Sequence, residues 1–526
     1  MEKRPNIVIF HTDQQRYDSL GCTGSCTAKT PHLDRLAAGG VVFDRHISAH
    51  PVCMPSRAAL FSGRYPQGSG VVQNGIALPR KEHLLRHDMN GEGQVNPDAV
   101  SHVPTMMDAF AAAGYRTASF GKLHLTCTNA PRSCRYEESR IRWAEEPMER
   151  WHGPYYGFEH VELTIGHGED YAGHYADWLK TSFPGAAKQA AEWAHRGRGA
   201  SSGLLYNGVI PVEAHSSAWV ADRAIRYIEQ HGGNAEEEAD PLFLFLGFPD
   251  PHFPFTPSRL LTDMFEEKSY EVGGESNPSN GERSKVEIER RKHPRAWTKY
   301  YGPEAIQNIA RYEPDFEAKA KRYTDAMIHL IDQSVGRVLD SLDRQGLADQ
   351  TIILFTSDHG DFLGDHGLVF KTNFGCRALN HVPFILKAPP SLAEGWPSRV
   401  PQVMSNIDVF PTLCELAGVP VPEGVQGTSV MNLLNRSGAK GVPALVACMD
   451  DEPEGHNYSL WNDRYRYTWY PATDERELFD HWSDAAEVRN IAALPENKLI
   501  VQALHADLLD RFMRTSNAGA GKVSAW

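Results

Sequence analysis

The stretch Thr351-Ile352-Ile353-Leu354-Phe355-Thr356-Ser357-Asp358-His359-Gly360 joins an unbroken apolar run to a carboxylate and an imidazole. A run without alternation suits a strand covered on both faces, as in a parallel sheet. Three other runs share the pattern. Ile7-Val8-Ile9-Phe10 leads to Asp13 and Gln14, Tyr115 to Phe120 leads to Lys122 and His124, and Leu242-Phe243-Leu244-Phe245-Leu246 leads to His252. In open α/β sheets, ligands bind beyond the carboxyl ends of the strands. Four strand ends carrying polar groups therefore predict one shared site, on an α/β fold with a large, mostly parallel sheet flanked by helices.

Helical periodicity fills the gaps between these runs. From Phe316 to Leu347 the residues Tyr323, Met327, Leu330, Ile331, Val335, Val338, Leu339 and Leu342 recur at helical spacing, and Gly346 closes the segment. Pro31 to Ala38 reads as a shorter helix, and an Ala-rich helix stops at Gly114. The stretches between Arg196 and Ser202, Gly232 and Asp240, and Gly273 and Arg295 are rich in Gly, Ser and charge, and read as surface loops or insertions. After Asp408-Val409-Phe410-Pro411-Thr412 the composition changes. Tyr458 to Tyr470 alternates aromatic and polar residues around Asn462-Asp463, which predicts an antiparallel hairpin, and a final helix covers about Glu496 to Met513. The predicted division is a catalytic domain over 1–437 and a small α+β domain over 438–526. The aromatic segment Trp151 to Phe158 reads as a satellite core under a loop rather than a sugar site.

With 526 residues, 41% hydrophobic and 23% charged, the chain has the balance of a globular protein with a sizeable core. A formal charge of −14 argues against a nucleic-acid partner, yet leaves room for a local cationic pocket and a small anionic substrate. No stretch reaches the length of a membrane span, and Asn6 to Phe10 is too short for a secretory core, so a cytoplasmic location is expected. Eight cysteines do not make a disulfide framework at this size. Cys22 with Cys26, and Cys127 with Cys134, lack companions at zinc-ribbon spacing and read as reduced thiols.

Cys53 is different. In Cys53-Met54-Pro55-Ser56-Arg57, followed by Ala58-Ala59-Leu60-Phe61-Ser62-Gly63, the early proline and later helix formers mark a helix start. Backbone amides and the helix dipole there favour an anion. Arg57, four residues on, shares a face with Cys53 if the helix begins that early. A thiolate nucleophile is one chemical reading of such a cysteine.

These five residues resemble the Cys-x-Pro-Ser-Arg signature of the type I sulfatases, members of the alkaline-phosphatase-like superfamily. The resemblance spans nearly the whole chain and includes Asp13-Gln14, Gly121-Lys122-Leu123-His124, Pro251-His252-Phe253-Pro254, Ser357-Asp358-His359-Gly360 and Lys371. The Asp-Gln and Asp-His pairs, with Asn74, look most like the branch holding choline sulfatases and phosphonate monoester hydrolases. His381 departs from it, standing where an Arg commonly precedes Val-Pro; His366 reads as structural.

The resemblance implies a set of roles. A maturation enzyme would convert Cys53 to formylglycine (3-oxoalanine), whose hydrated aldehyde is the nucleophile. Asp13, Gln14, Asp358, His359 and an oxygen at position 53 would hold one divalent cation, with Ca2+ the first choice and Mn2+ the alternative. Arg57 would hold the nucleophile's second hydroxyl. Lys122 and Lys371 would pair with the sulfate, and Asn74 would donate a hydrogen bond to it. His252 would protonate the departing alcohol or phenol, and His124 would take a proton from the resulting hemiacetal sulfate to release sulfate. The expected activity is hydrolysis of a small sulfate monoester. The alternative is a phosphonate monoester or phosphodiester hydrolase using the same nucleophile, which the Lys122 and His124 pair disfavours. A noncatalytic binding protein with unmodified Cys53 is a third reading, against which the intact metal and cationic groups argue. Neither nucleic acid nor membrane is expected as a partner, and a homo-oligomer is compatible with the sequence.

Overall fold

A computed structural model describes residues 4–80, 102–146, 148–196, 203–232, 239–270 and 293–516. Most of each Gly-, Ser- and charge-rich stretch, residues 197–202, 233–238 and 273–292, lies outside the described residues.

In chain order the strands are β1 (Asn6–Thr12), β2 (Val41–Ile47), β3 (Arg116–Gly121), β4 (His160–Leu163), β5 (Ile165–His167), β6 (Asp170–Ala172), β7 (Leu242–Gly247), β8 (Thr351–Ser357), β9 (Phe384–Lys387), β10 (Arg399–Ser405), β11 (Ala444–Cys448), β12 (Asn457–Trp461), β13 (Tyr465–Tyr470) and β14 (Glu475–Asp480). Eight of them form the main sheet in the order β10-β2-β9-β8-β1-β7-β3-β4. Every pairing in it is parallel except those of β9, which runs against both β2 and β8. The four apolar runs singled out in the sequence are β8, β1, β7 and β3. They lie side by side in the middle of the sheet.

Their lack of alternation has a direct cause. Ile7, Ile9, Phe243, Phe245, Ile352 and Leu354 enter one hydrophobic cluster, while Val8, Phe10, Leu244, Leu246, Ile353 and Phe355 enter another. Both faces are covered, so both parities must be apolar. On one face lie α2 (Cys53–Ser62), α3 (Met106–Ala112) and α6 (Val409–Ala417). On the other lie α1 (Pro31–Ala38), α4 (Ser216–His231) and α5 (Phe316–Arg344). Each fully buried Leu, Ile, Val or Phe contributes about 1.5–3 kcal/mol relative to exposure, so this two-faced core is a rigid mount for the strand ends.

The helix expected to run to Leu347 ends at Arg344, with Gly346 taking the left-handed turn (φ +68°) just before β8. The aromatic segment corrects an expectation. Tyr155, Tyr156 and Phe158 belong to the same cluster as the sheet residues, and the Tyr156 hydroxyl donates to the Leu78 carbonyl at 2.6 Å, so this is main core and not a satellite.

Beyond the sheet, β11 to β14 form a separate antiparallel sheet in sequence order, with β12 and β13 making the expected hairpin. The last helix, α7 (Lys498–Thr515), sets Val501, Leu504 and Leu508 against Leu445, Leu460, Tyr467 and Leu478 of that sheet. Ala49, Ala59 and Tyr65 join the same cluster, which couples the C-terminal domain to α2. Among the described residues no helix is long and apolar enough to cross a membrane.

Close strand approach sets one testable demand. Gly121 ends β3 opposite Gly247 at φ +102°, and a Cβ there would meet the Gly247 carbonyl oxygen at 2.0 Å. We expect Gly121→Ala to lower stability by about 2–3 kcal/mol, read as a reduced urea midpoint at unchanged slope. An unaltered midpoint would show that the two strand ends part freely.

Candidate active site

Register explains why residues far apart in sequence meet. Thr12 and Ser357 are partners at the ends of β1 and β8, so Asp13 and Asp358 leave the sheet together. Gly121 and Gly247 are partners at the ends of β3 and β7, and the Lys122 amide donates to the Gly247 carbonyl at 2.8 Å, which aims Lys122 at the same place. The Asp13 amide is fixed by the Asp250 carbonyl at 3.0 Å, tying β1 to the loop that carries His252.

Cys53 is the first residue of α2 and is 1% exposed. Its Sγ lies 2.9 Å from Lys371 Nζ, 3.3 Å from His359 Nε2 and 3.8 Å from Asp13 Oδ1. Lys371 Nζ also lies 2.8 Å from His252 Nε2 and 3.0 Å from His359 Nε2. An ammonium only donates, so both imidazoles present bare Nε2 lone pairs to it. The other nitrogen of each ring agrees: His359 Nδ1 donates to the Gly360 carbonyl at 2.8 Å, and His252 Nδ1 faces the Phe253 carbonyl.

Arg57 sits one turn after Cys53 and is fully buried. Its Nε donates to Asp358 Oδ2 at 2.8 Å, and its guanidinium lies 3.7 Å from Asp13 Oδ2. Lys122 Nζ makes a close ion pair with Asp13. Asp358 Oδ1 accepts the amides of Gln14 at 3.0 Å and His359 at 2.8 Å. One ligand atom from each of Asp13, Cys53, Asp358 and His359 lies within 4.8 Å of the others. Gln14 adopts φ +68° and donates its side-chain amide to Asp361, leaving Oε1 buried with no partner among the described atoms. Such an orphaned oxygen is costly unless something binds it.

The charges act on one another. Burial and the Asp13 carboxylate push the Cys53 thiol up, but the ammonium groups of Lys371 and then Lys122 hold it well below its ordinary range. Burial alone would raise Asp13, yet Lys122, His252, His167 and Arg57 pull it well below the usual carboxylate range. Burial, then Lys371, presses His252 down to about 4. Lys371 stays ammonium: burial opposes its charge, but Cys53, Asp13 and Asp358 favour it.

Two expected residues are placed differently from the rest. Asn74 is exposed, and its Oδ1 accepts the Met54 amide at 3.0 Å, so its oxygen caps the start of α2. His124 is buried at φ +57°, with the amides of residues 124 to 126 held by Glu138 and its own Nδ1 without a partner among the described atoms. Its ring lines a cavity of about 470 Å3 together with Lys122 and His252.

Two residues escaped the sequence reading. His167, at the end of β5, lies 3.2 Å from Asp13 Oδ2 and stacks on His252 with ring centroids 3.8 Å apart. No motif or apolar run announces it, because β5 is a short strand of a separate hairpin. Asp361 was legible in principle, being the next carboxylate after Asp358, but its role in orienting Gln14 depends on the fold. The eight cysteines are all free thiols.

A buried carboxylate cluster at the ends of parallel strands, facing a helix-start cysteine and two lysines, is the arrangement of an alkaline-phosphatase-like hydrolase. The sulfatase family model matches residues 5–419, and the chain belongs to that family, the sulfuric ester hydrolases. A second match, to the C-terminal region of N-sulphoglucosamine sulphohydrolase, covers residues 364–514. An arylsulfatase of Clostridium perfringens is 25% identical over 96% of this chain and 94% of its own length. A choline-sulfatase of Rhizobium meliloti is 26% identical over 94% and 83% respectively. In fold, the phosphonate monoester hydrolase of Agrobacterium radiobacter superposes with a TM-score of 0.74 at 21% identity, over 97% of this chain and 96% of that one.

Arg57 neutralises carboxylates that have no access to water. Replacing it by Met strands charge at Asp358, and we expect a loss of about 3–5 kcal/mol, measured by urea unfolding. A stability within error of wild type would mean that Lys122 alone carries the compensation.

Proposed function

We propose that this protein hydrolyses a small sulfate monoester to an alcohol or phenol plus inorganic sulfate, with formylglycine at position 53 and one divalent cation beside it. The observation that carries the reading is the placement of Cys53 at a helix start, in contact with Lys371 and His359 and facing Asp13. The donor set fits a cation. Two carboxylates, the orphaned Gln14 Oε1 and the bare His359 Nε2 are the chain's ligands for it, and this oxygen-rich set suits Ca2+ first and Mn2+ second. When bound, that cation supplies charge for the sulfate oxygens and lowers the pKa of the hydrated aldehyde.

The remaining work belongs to the chain's own side chains. Arg57, locked on Asp358, keeps position 53 oriented. Lys371 and Lys122 grip sulfate oxygens, and Asn74 keeps its amide nitrogen for the same anion while its oxygen caps α2. His252 is neutral when the site is free, with Nε2 accepting from Lys371, so the proton for the leaving oxygen is held between these two groups. An incoming sulfate ester raises the proton affinity of His252 by placing negative charge against it. His124, whose Nδ1 has no other engagement among the described atoms, takes the proton that frees sulfate.

Burial bears on maturation as well. At 1% exposure Cys53 is out of reach of another enzyme in the folded chain, so a formylglycine-generating enzyme must act before folding is complete. Eight free thiols support a reducing, cytoplasmic setting. On this reading residues 1–437 carry the chemistry, and 438–526 form the supporting domain. The second reading, a phosphonate monoester hydrolase, draws on the fold similarity noted above; Lys122 and His124 favour sulfate.

Peptide mass spectrometry across position 53 should find an aldehyde in protein made with its maturation enzyme, and Cys53→Ala should lose aryl sulfate hydrolysis. Aryl sulfate should be cleaved faster than aryl phosphonate. Full activity in Cys53→Ala, or a strong phosphonate preference, would sink the assignment. His252→Ala should slow alkyl sulfates by about 10²–10⁴-fold but affect a nitrophenyl sulfate far less, because a good leaving group departs without a proton. Equal losses on both substrates would remove His252 from the acid role.

A further inference from the structure

A second basic cavity lies away from the nucleophile, where the sheet edge meets the C-terminal domain. It measures about 290 Å3, and Tyr17, Arg45, Arg377, His381, Trp461 and His481 face it. In a chain of net charge −14 this concentration of cations is unusual.

The two arginines lack the partners that such groups normally have. Among the described residues, no carboxylate comes within ion-pair distance of Arg45 or Arg377. Arg45 donates to His481 Nδ1 at 3.3 Å, and Arg377 is held through its backbone, its amide donating to a Glu487 carboxylate oxygen, while its guanidinium has no hydrogen-bond partner among the described residues. Nearby acids are already engaged. Asp44 takes Arg399 and the Tyr17 hydroxyl, Asp463 accepts the Val403 amide, and Asp18 is held by Arg16. Burial presses the Arg45 cation below its ordinary range despite Asp463 and Asp44, and Arg377 adds to the strain.

The histidines are held so that they do not relieve this. His481 donates Nε2–H to Glu487 at 2.8 Å, which leaves its Nδ1 for Arg45. His381 donates Nε2–H to the Asp44 carbonyl at 2.8 Å and stacks on Tyr17 with centroids 4.0 Å apart, forming a flat wall. Trp461 packs beside His481 on the other side. Two half-buried guanidinium groups that repel one another across a cavity are stable together once an anion sits between them.

We propose that this cavity is a second anion-binding site, which takes the phosphate or sulfate group of a small molecule between Arg45 and Arg377. The aromatic walls leave room for a compact organic body beside the oxyanion. Since β2 and β10 supply one side and the β12–β13 and β14 region the other, the ligand also bridges the two sheets. The site is separate from the sulfate-ester site, and its occupancy does not depend on the reaction proposed there.

Equilibrium dialysis against labelled inorganic phosphate tests this on the full chain. We expect two ions per chain, one in each site, falling to one in Arg45→Met/Arg377→Met, which keeps its aryl sulfatase activity. Phenylglyoxal labelling of the wild-type protein, read by peptide mass spectrometry, covers the case in which the variant does not fold. Phosphate should slow modification of Arg45 and Arg377 several-fold, and chloride at equal ionic strength should not. The same number of bound ions in the wild type and a folded double variant, or equal protection by chloride, overturns the assignment.

Discussion

Two carboxylates without access to water, Asp13 and Asp358, set the terms for the rest of the active site. Neither is tolerable there alone. Arg57 reaches both, Lys122 closes on Asp13, and Lys371 balances the thiol at position 53. The result is a buried cluster with acids on one side and ammonium groups on the other, poised around the first residue of a helix. Whatever ligand enters must satisfy both halves, which is the electrostatic description of a cation and a tetrahedral anion binding side by side.

The sheet makes that cluster possible. Strand ends β8, β1, β7 and β3 are neighbours, and their register places Asp13 with Asp358 and Lys122 with the β7 loop. Clusters of apolar side chains on both faces resist movement of the strands, so the polar ends inherit their precision from the core. Helix α2 is mounted by the same core and by the C-terminal domain through Ala59, Tyr65 and the β11–β14 sheet. The smaller domain therefore helps to seat position 53.

Reach outward from the cluster differs on its two sides. Toward His124, His167 and His252 the protein opens into the larger cavity, of about 470 Å3. The smaller, arginine-lined cavity lies where β2 and β10 meet the β12–β14 region, and it shares no lining residue with the larger one. The same chain thus presents two hollows that carry cationic side chains, each built where segments distant in sequence meet.

Several features were legible from sequence alone. Unbroken apolar runs report strands covered on both faces, and the polar residues after them report the carboxyl edge, because these depend on local order and burial. The helix start at Cys53, the Arg57 spacing and the hairpin at Asn462-Asp463 are local for the same reason. Strand order was not legible, since nothing in the runs says that β8 neighbours β1. His167 stayed hidden because its contact with Asp13 bridges segments with no shared pattern, and the aromatic segment near Tyr155 was misread because burial is a property of what packs on a residue. Likewise, that Arg45 and Arg377 have no carboxylate partner among the described residues is decided only once their neighbours are in place. Sequence determines which groups are available and in what local geometry; tertiary structure decides which charges face one another, because Coulomb and desolvation energies depend on distance and burial.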